Sequence, residues 1–442
     1  MLNLYKMPEY TFPKGFLWGS ATAGHQIEGD NINSQRWKQE LELDLPDFVP
    51  SGKACNSWEL YKEDIRILKE LKHQAYRFSI EWSRIEPEQG VHDEAALNRY
   101  LDQLQLLKEA GLHTNVTLWH FTHPLWFEEL GGFSKEENLD HFRRHVAYLV
   151  PRIAHLVDSW IVMNEINLGA FHPQTFISKK IKLKAHAFGA QIIREHSKAP
   201  VSTAHAYVPR VPLRADDELD ITCARMQEWN HNTFFFHGVR TGEIVLPGFD
   251  MEFMPELKNS CDYWGINYYH RGLVDSRKAT MMGRKFDFNN FQMIPERAMT
   301  REFCPETFVH AMGKISDKPV WITENGVPAL DDQFRIIWIM LQLEAMKDAM
   351  ALYHTDIRAY FHWSLLDNYE WGSYHPRFGL ASVDRTTFKR TAKPSAYFLR
   401  EIIENNGMSG ELFAKHLPDL PQFTLRPFGE DQRFTLPVET QA

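Results

Sequence analysis

The chain has 442 residues, 43% of them apolar and 13% aromatic, enough to bury a large core. Its formal charge of −9 argues against nucleic acid as a partner, and no stretch approaches the length of a membrane span. The opening MLNLYKMPEYTFPKGF lacks a charged-then-apolar export pattern, and Cys55, Cys223, Cys261 and Cys304 are far apart with no CxxC pair, so reduced thiols in a cytoplasmic protein are expected.

Short apolar runs predict buried strands at 16–23, 75–82, 113–120, 159–165, 200–207, 262–269, 319–324 and 357–364. Helical periodicity between them is clearest at 57–72, 93–110 and 331–353. Ser57 is the expected cap of the first of these helices, and Asp331 or Asp332 of the last. Gly111 is the expected stop of the second. The lysines between 179 and 184 are the densest basic cluster and are expected on a solvated helix face. Eight strands alternating with helices imply a parallel sheet, and that count favours closure into an α/β, single-domain (β/α)8 TIM barrel. No repeat, linker or composition shift divides the chain, so residues 1–407 are expected to form one catalytic domain. Residues 408–442 are read as a C-terminal tail: 411–442 holds four prolines and no helical period. Packing along the barrel, an oligomer contact and a disordered end all stay open for it.

Polar and aromatic groups gather where the predicted strands end. Gln26 and Glu28 follow the first strand, Arg77 lies in the second, and Trp119-His120 close the third. Asn164-Glu165 end the fourth, Asn267-Tyr268-Tyr269 the sixth and Glu324-Asn325 the seventh. Trp363 lies on the eighth, with Asp367, Glu370 and Trp371 just beyond. A carboxylate at the end of a core strand is costly to desolvate unless it is paired or used. In a parallel barrel that end carries the active site, and two facing carboxylates are the minimum equipment for cleaving a glycosidic bond. His120 and His123 stand at i, i+3 on a strand-to-loop segment without HExxH or a Cys/His cluster, so no metal is expected. Gly15, Gly19 and Gly24 lack the strand–GxGxxG–helix arrangement of a phosphate cradle, so no cofactor is expected either.

From about residue 8 to about 405 the chain resembles the family 1 glycoside hydrolases, retaining β-glucosidases and β-galactosidases built on a (β/α)8 barrel. The resemblance rests on FPKGFLWGSATAGHQIEG (12–29), YRFSIEWSRIEP (76–87), WHFTHPLW (119–126), NE (164–165), GINYY (265–269), ITENG (322–326), WSLLDNYEW (363–371) and RFGL (377–380), in that order. It implies that Glu165 is the general acid/base and Glu324 the nucleophile. It further implies that Gln26, His120, Asn164, Glu370 and Trp371 hold sugar hydroxyls over a Trp363 platform. Arg77 and Tyr269 would orient the nucleophile, with Asn267 in support. An acid at neutral pH needs a raised pKa, which burial and the charge of Glu324 would supply to Glu165, while a guanidinium beside Glu324 favours its ionised form.

Several positions depart from the family pattern. Ile166 replaces the usual proline after the acid, Met163 replaces a threonine-like residue, and Asn167 stands where an aromatic often faces the leaving group. Asn167 and the segment 271–300 are therefore the expected aglycone wall. The two glutamates are only 324 − 165 = 159 residues apart, so some βα loops are trimmed. Pro376 and Phe378 stand where members that cleave 6-phospho-glycosides carry a lysine and a tyrosine, and Glu370 would repel a phosphate, so a phosphorylated sugar is disfavoured. Thioglucoside-cleaving members carry glutamine in place of the acid, which Glu165 argues against.

The expected activity is hydrolysis of terminal β-D-glucosyl residues by double displacement through a covalent glycosyl-enzyme. A β-galactosidase or β-fucosidase, a transglycosylase using the same residues, and a catalytically silent sugar-binding protein are the alternatives. The expected partner is a small β-glycoside, with no nucleic acid and no membrane, and a homo-oligomer stays open.

Overall fold

A computed structural model describes residues 3–45, 48–169, 171–277 and 304–420. Eight parallel strands close into a barrel: β1 (Leu17–Ala21), β2 (Ala75–Ser79), β3 (His113–Thr117), β4 (Ser159–Asn164), β5 (Val201–Ala206), β6 (Trp264–Asn267), β7 (Val320–Asn325) and β8 (Ile357–Trp363). Each predicted strand is found, one to three residues shorter at its ends in most cases, because the apolar run continues into the loop that follows. The outer helices include α1 (Ser57–Glu70), α2 (Glu94–Glu109), α3 (Leu139–Ile153), α4 (Pro173–His196), α5 (Phe234–Thr241), α6 (Pro305–Gly313), α7 (Asp332–Tyr353) and α8 (Pro394–Asn405).

The barrel interior mixes large and small side chains. Tyr263 and Trp321 stack at 4.3 Å between ring centroids, and Ala75, Ala204 and Ala359 leave them room. Gly19 and Gly265 are required by close approach: a Cβ would lie 2.4 Å from the Ala75 carbonyl oxygen at the first and 2.7 Å from that of Thr203 at the second. Outside the barrel, α2 buries Ala96, Leu97, Tyr100, Leu104 and Leu107, a helical stripe that packs on the strands. Asp93 caps this helix by accepting from the amides of Ala95 and Ala96, and Gly111 follows it at φ +73°.

One expectation changes, and two that were left open narrow. The residue before α1 is Asn56, in the left-handed region with no side-chain cap, and Ser57 is the first helical residue. Its hydroxyl instead accepts from buried Arg390, so tertiary contact replaces the cap. For α7 the cap is Asp331, which accepts from the Gln333 amide. Residues 408–417, expected to belong to the tail, pack on the barrel: Gly407–Met408 pairs with Tyr10–Thr11, and Ser409 caps a helix over Gly410–His416. That helix is too short to show a period, yet it buries Phe413 against Tyr5 and Phe398. The rest of the tail, 421–442, lies outside the described residues.

All four cysteines are free, three of them buried. Among the described residues no helix is long and apolar enough to cross a membrane.

Candidate active site

Register shifts occur where the strands run out at the C-terminal end of the barrel: between Ile161 and Asn164 on β4, Ile266 and Asn267 on β6, and Ile322 and Asn325 on β7. Such irregularities re-aim side chains, and the three segments hold Asn164, Asn267 and Glu324. Glu165 follows directly at φ +48°, a conformation that costs a non-glycine residue on the order of 1–3 kcal/mol. Its amide bonds the Ala204 carbonyl at 2.7 Å and so fixes the turn. These ends open into a cavity of about 560 Å3 whose lining includes Glu165, Glu324, Gln26, His120, Asn164, Tyr269, Trp363, Glu370 and Trp371.

Arg77 is fully buried on β2 and organises the floor. Nη1 donates to Glu324 Oε1 at 2.6 Å, and Nη2 donates to Asn164 Oδ1 at 2.6 Å. Asn267 Nδ2 donates to Asn164 Oδ1 at 3.1 Å and to Glu165 Oε1 at 2.9 Å. The Thr323 hydroxyl donates to Asn267 Oδ1 at 2.8 Å, which sets the orientation of that amide. Both glutamates thus join one hydrogen-bonded network. Tyr269 completes it by donating its hydroxyl to Glu324 Oε2 at 2.8 Å. Burial pushes the Glu324 carboxyl up from its usual range, while Arg77 and the donors Tyr269 and Asn267 pull it down. The net direction is upward, whereas the guanidinium alone implied the reverse; desolvation of a fully enclosed carboxyl outweighs it. Burial, reinforced by the charge of Glu324, raises the Tyr269 phenol well above its ordinary value and keeps it a donor.

The opposite wall is polar and aromatic. Glu370 accepts from the Trp363 indole at 3.1 Å and from Gln26 Nε2 at 3.3 Å. Gln26 Nε2 also donates to the Tyr369 carbonyl at 2.7 Å, while its Oε1 is buried without a partner among the described residues. The His120 ring stacks on Trp363 at 5.9 Å, and burial followed by the nearby Arg77 holds it well below its ordinary pKa. As a neutral imidazole it accepts at Nε2 from Asn164 Nδ2, 3.3 Å away, which leaves Nδ1 as a buried donor without a partner among the described residues. Trp371, at φ +50°, stacks on His25 at 5.8 Å. Buried polar atoms are normally satisfied, so these atoms of Gln26 and His120 are exceptions in two residues that line the cavity.

Two expectations about the leaving-group side are overturned. Asn167 is fully buried and turned away from the cavity: its Nδ2 donates to the carbonyls of Ala206 and His231. Leu168, Gly169 and Lys182 line the cavity instead. The lysines of α4 are not a solvated face either. Lys179 and Lys184 are buried, Lys184 pairing with Glu136 at 2.5 Å, and Lys182 is half-buried at the cavity. Of the expected wall at 271–300, residues 278–300 lie outside the described residues. Sequence reading also missed Arg36 and Phe121 in the lining, and took Phe378, which lines it too, only as a mark against a phosphorylated sugar. Phe121 and Phe378 lie inside motifs already noted, so motif membership was the available signal; Arg36 carried none.

The sequence model of glycosyl hydrolase family 1 matches residues 8–408. A 1,4-β-D-glucan glucohydrolase of Thermotoga neapolitana is 31% identical over 90% of this chain and 99% of its own. A β-glucosidase A of Thermotoga maritima is 30% identical over 90% of this chain and 98% of its own. The solved structure of a β-glycosidase from Pyrococcus horikoshii superposes with a TM-score of 0.83 at 33% identity, covering 92% of this chain and 98% of that one. With the barrel, the ordered motifs and this match in agreement, the chain belongs to glycosyl hydrolase family 1.

Proposed function

We propose that this enzyme hydrolyses terminal, non-reducing β-D-glucosyl residues with net retention. The observation that carries the reading is the network joining Glu165 and Glu324 through Asn267, Asn164 and Arg77 across one cavity. Glu324 attacks the anomeric carbon while Glu165 protonates the departing oxygen, giving a glycosyl-enzyme ester. Ester formation removes the charge on Glu324, so Glu165 ionises more readily and takes a proton from the water that releases the sugar. Asn164 has a second amide hydrogen for the sugar 2-hydroxyl, where bonds strengthen as positive charge develops. Gln26, His120 and Glu370 hold the remaining hydroxyls over Trp363, with Trp371 closing that side.

The names of the relatives support glucose as the sugar. Glu370 and Phe378 on the cavity wall support an unphosphorylated one. The free cysteines support a reducing compartment, the cytoplasm. Initial rates on 4-nitrophenyl β-glucoside, β-galactoside, β-fucoside and β-glucoside 6-phosphate, with Glu324→Gln as the blank, test the reading. A glucoside or fucoside lead that vanishes in the variant supports it. Full activity in Glu324→Gln contradicts it, and turnover confined to the phosphorylated sugar contradicts the choice of substrate.

A further inference from the structure

Lys182 lines the cavity together with Leu168 and Gly169, which belong to the loop that follows Glu165 and leads into α4, the helix that carries Lys182. If Glu165 protonates the leaving oxygen, this wall faces the leaving group, so the inference rests on the role proposed for Glu165. The ammonium lies 5.0 Å from the centroid of the Trp119 ring. Among the described residues it has no hydrogen bond and no ion pair. Glu128 is the acid whose charge it feels, but that carboxylate is held by His123 at 2.9 Å. A cation–π contact offsets part of the desolvation of an ammonium without neutralising it. Burial lowers its pKa to about 8, which leaves it mostly protonated at neutral pH. A half-buried cation with spare donors on a cavity wall is suited to an anion.

We infer that Lys182 makes the leaving-group side of the cavity selective for β-glucosides whose aglycone carries a carboxylate. A neutral aglycone leaves the ammonium unpaired, whereas a carboxylate forms a charge-assisted hydrogen bond with it. Elsewhere in the cavity Glu165, Glu324 and Glu370 repel an anion, and the other lining cation, Arg36, is turned to Glu40 and the Trp371 carbonyl, so the selectivity depends on Lys182 and on the carboxylate reaching it.

The test compares 4-carboxyphenyl with 4-carbamoylphenyl β-glucoside, which are alike in shape and differ in charge. The ratio of their kcat/KM values is measured for the wild type, Lys182→Met and Lys182→Arg. The expected ratio falls by about tenfold or more in Lys182→Met, the size of one charge-assisted hydrogen bond, and recovers in Lys182→Arg. A ratio unchanged within about twofold in Lys182→Met overturns the inference, since deletion of a charge-assisted bond should exceed that. If the wild type turns over neither substrate, the glucosidase reading fails, and calorimetry then decides Lys182 separately. Glu324→Gln should bind the acid about tenfold more tightly than the amide, and the double variant with Lys182→Met should lose that preference. Equal affinities, or no binding of the acid, overturn the inference.

Discussion

Replacing Arg77 by methionine removes the guanidinium and keeps most of its apolar volume. Arg77 is fully buried and spends donors on Glu324, Asn164, the Thr323 carbonyl and Thr117. Glu324 must be ionised to attack, and its burial already favours the protonated form. Losing the largest influence that opposes burial moves the carboxyl further up. The acidic limb of the kcat/KM profile, which reports the free enzyme, is then displaced to higher pH. A hydrogen bond to a charged group contributes about 1.5–3 kcal/mol, so kcat/KM on that limb falls about ten- to hundredfold beyond any pH-independent loss. The assay is the pH profile of 4-nitrophenyl β-glucoside hydrolysis under kcat/KM conditions, with circular dichroism to verify folding. An acidic limb at the same pH in a folded variant refutes the claim that Arg77 holds Glu324 ionised.

Tyr269→Phe deletes the 2.8 Å donor to Glu324 and should reduce kcat/KM by about tenfold or more, a loss that steady-state kinetics reads directly. Glu165→Ala should lose most turnover yet be rescued by azide on substrates with good leaving groups, with formation of the β-glucosyl azide seen by NMR. Asp64→Ala should leave KM nearly unchanged and destabilise the protein by about 3–5 kcal/mol in urea, because it strands buried Arg390 without its partner at 2.8 Å.

The barrel was legible because its strands are continuous apolar runs, and the glutamates because each follows such a run directly. Motif resemblance supplied their neighbours. The leaving-group wall was not legible. Asn167 looked like a wall residue by position, but its amide satisfies the backbone carbonyls of Ala206 and His231 inside the protein. The α4 lysines looked solvated by composition; the helix instead turns Lys179 and Lys182 inward, where a carbonyl of Asn230 and the face of Trp119 receive them. Such partners lie 51 and 63 residues away in the chain and leave no local pattern. The helix at Gly410–His416 was hidden for another reason: seven residues are too few for periodicity to emerge.

The central claim is that Glu324 forms the covalent intermediate. Incubation with a 2-deoxy-2-fluoro-β-glucosyl fluoride, followed by proteolysis and mass spectrometry, tests it most directly. The account predicts a single fluoroglucosyl ester on the peptide containing Glu324, with activity lost in step with labelling. A label on another residue, or release of the α-sugar from an unlabelled enzyme, contradicts it.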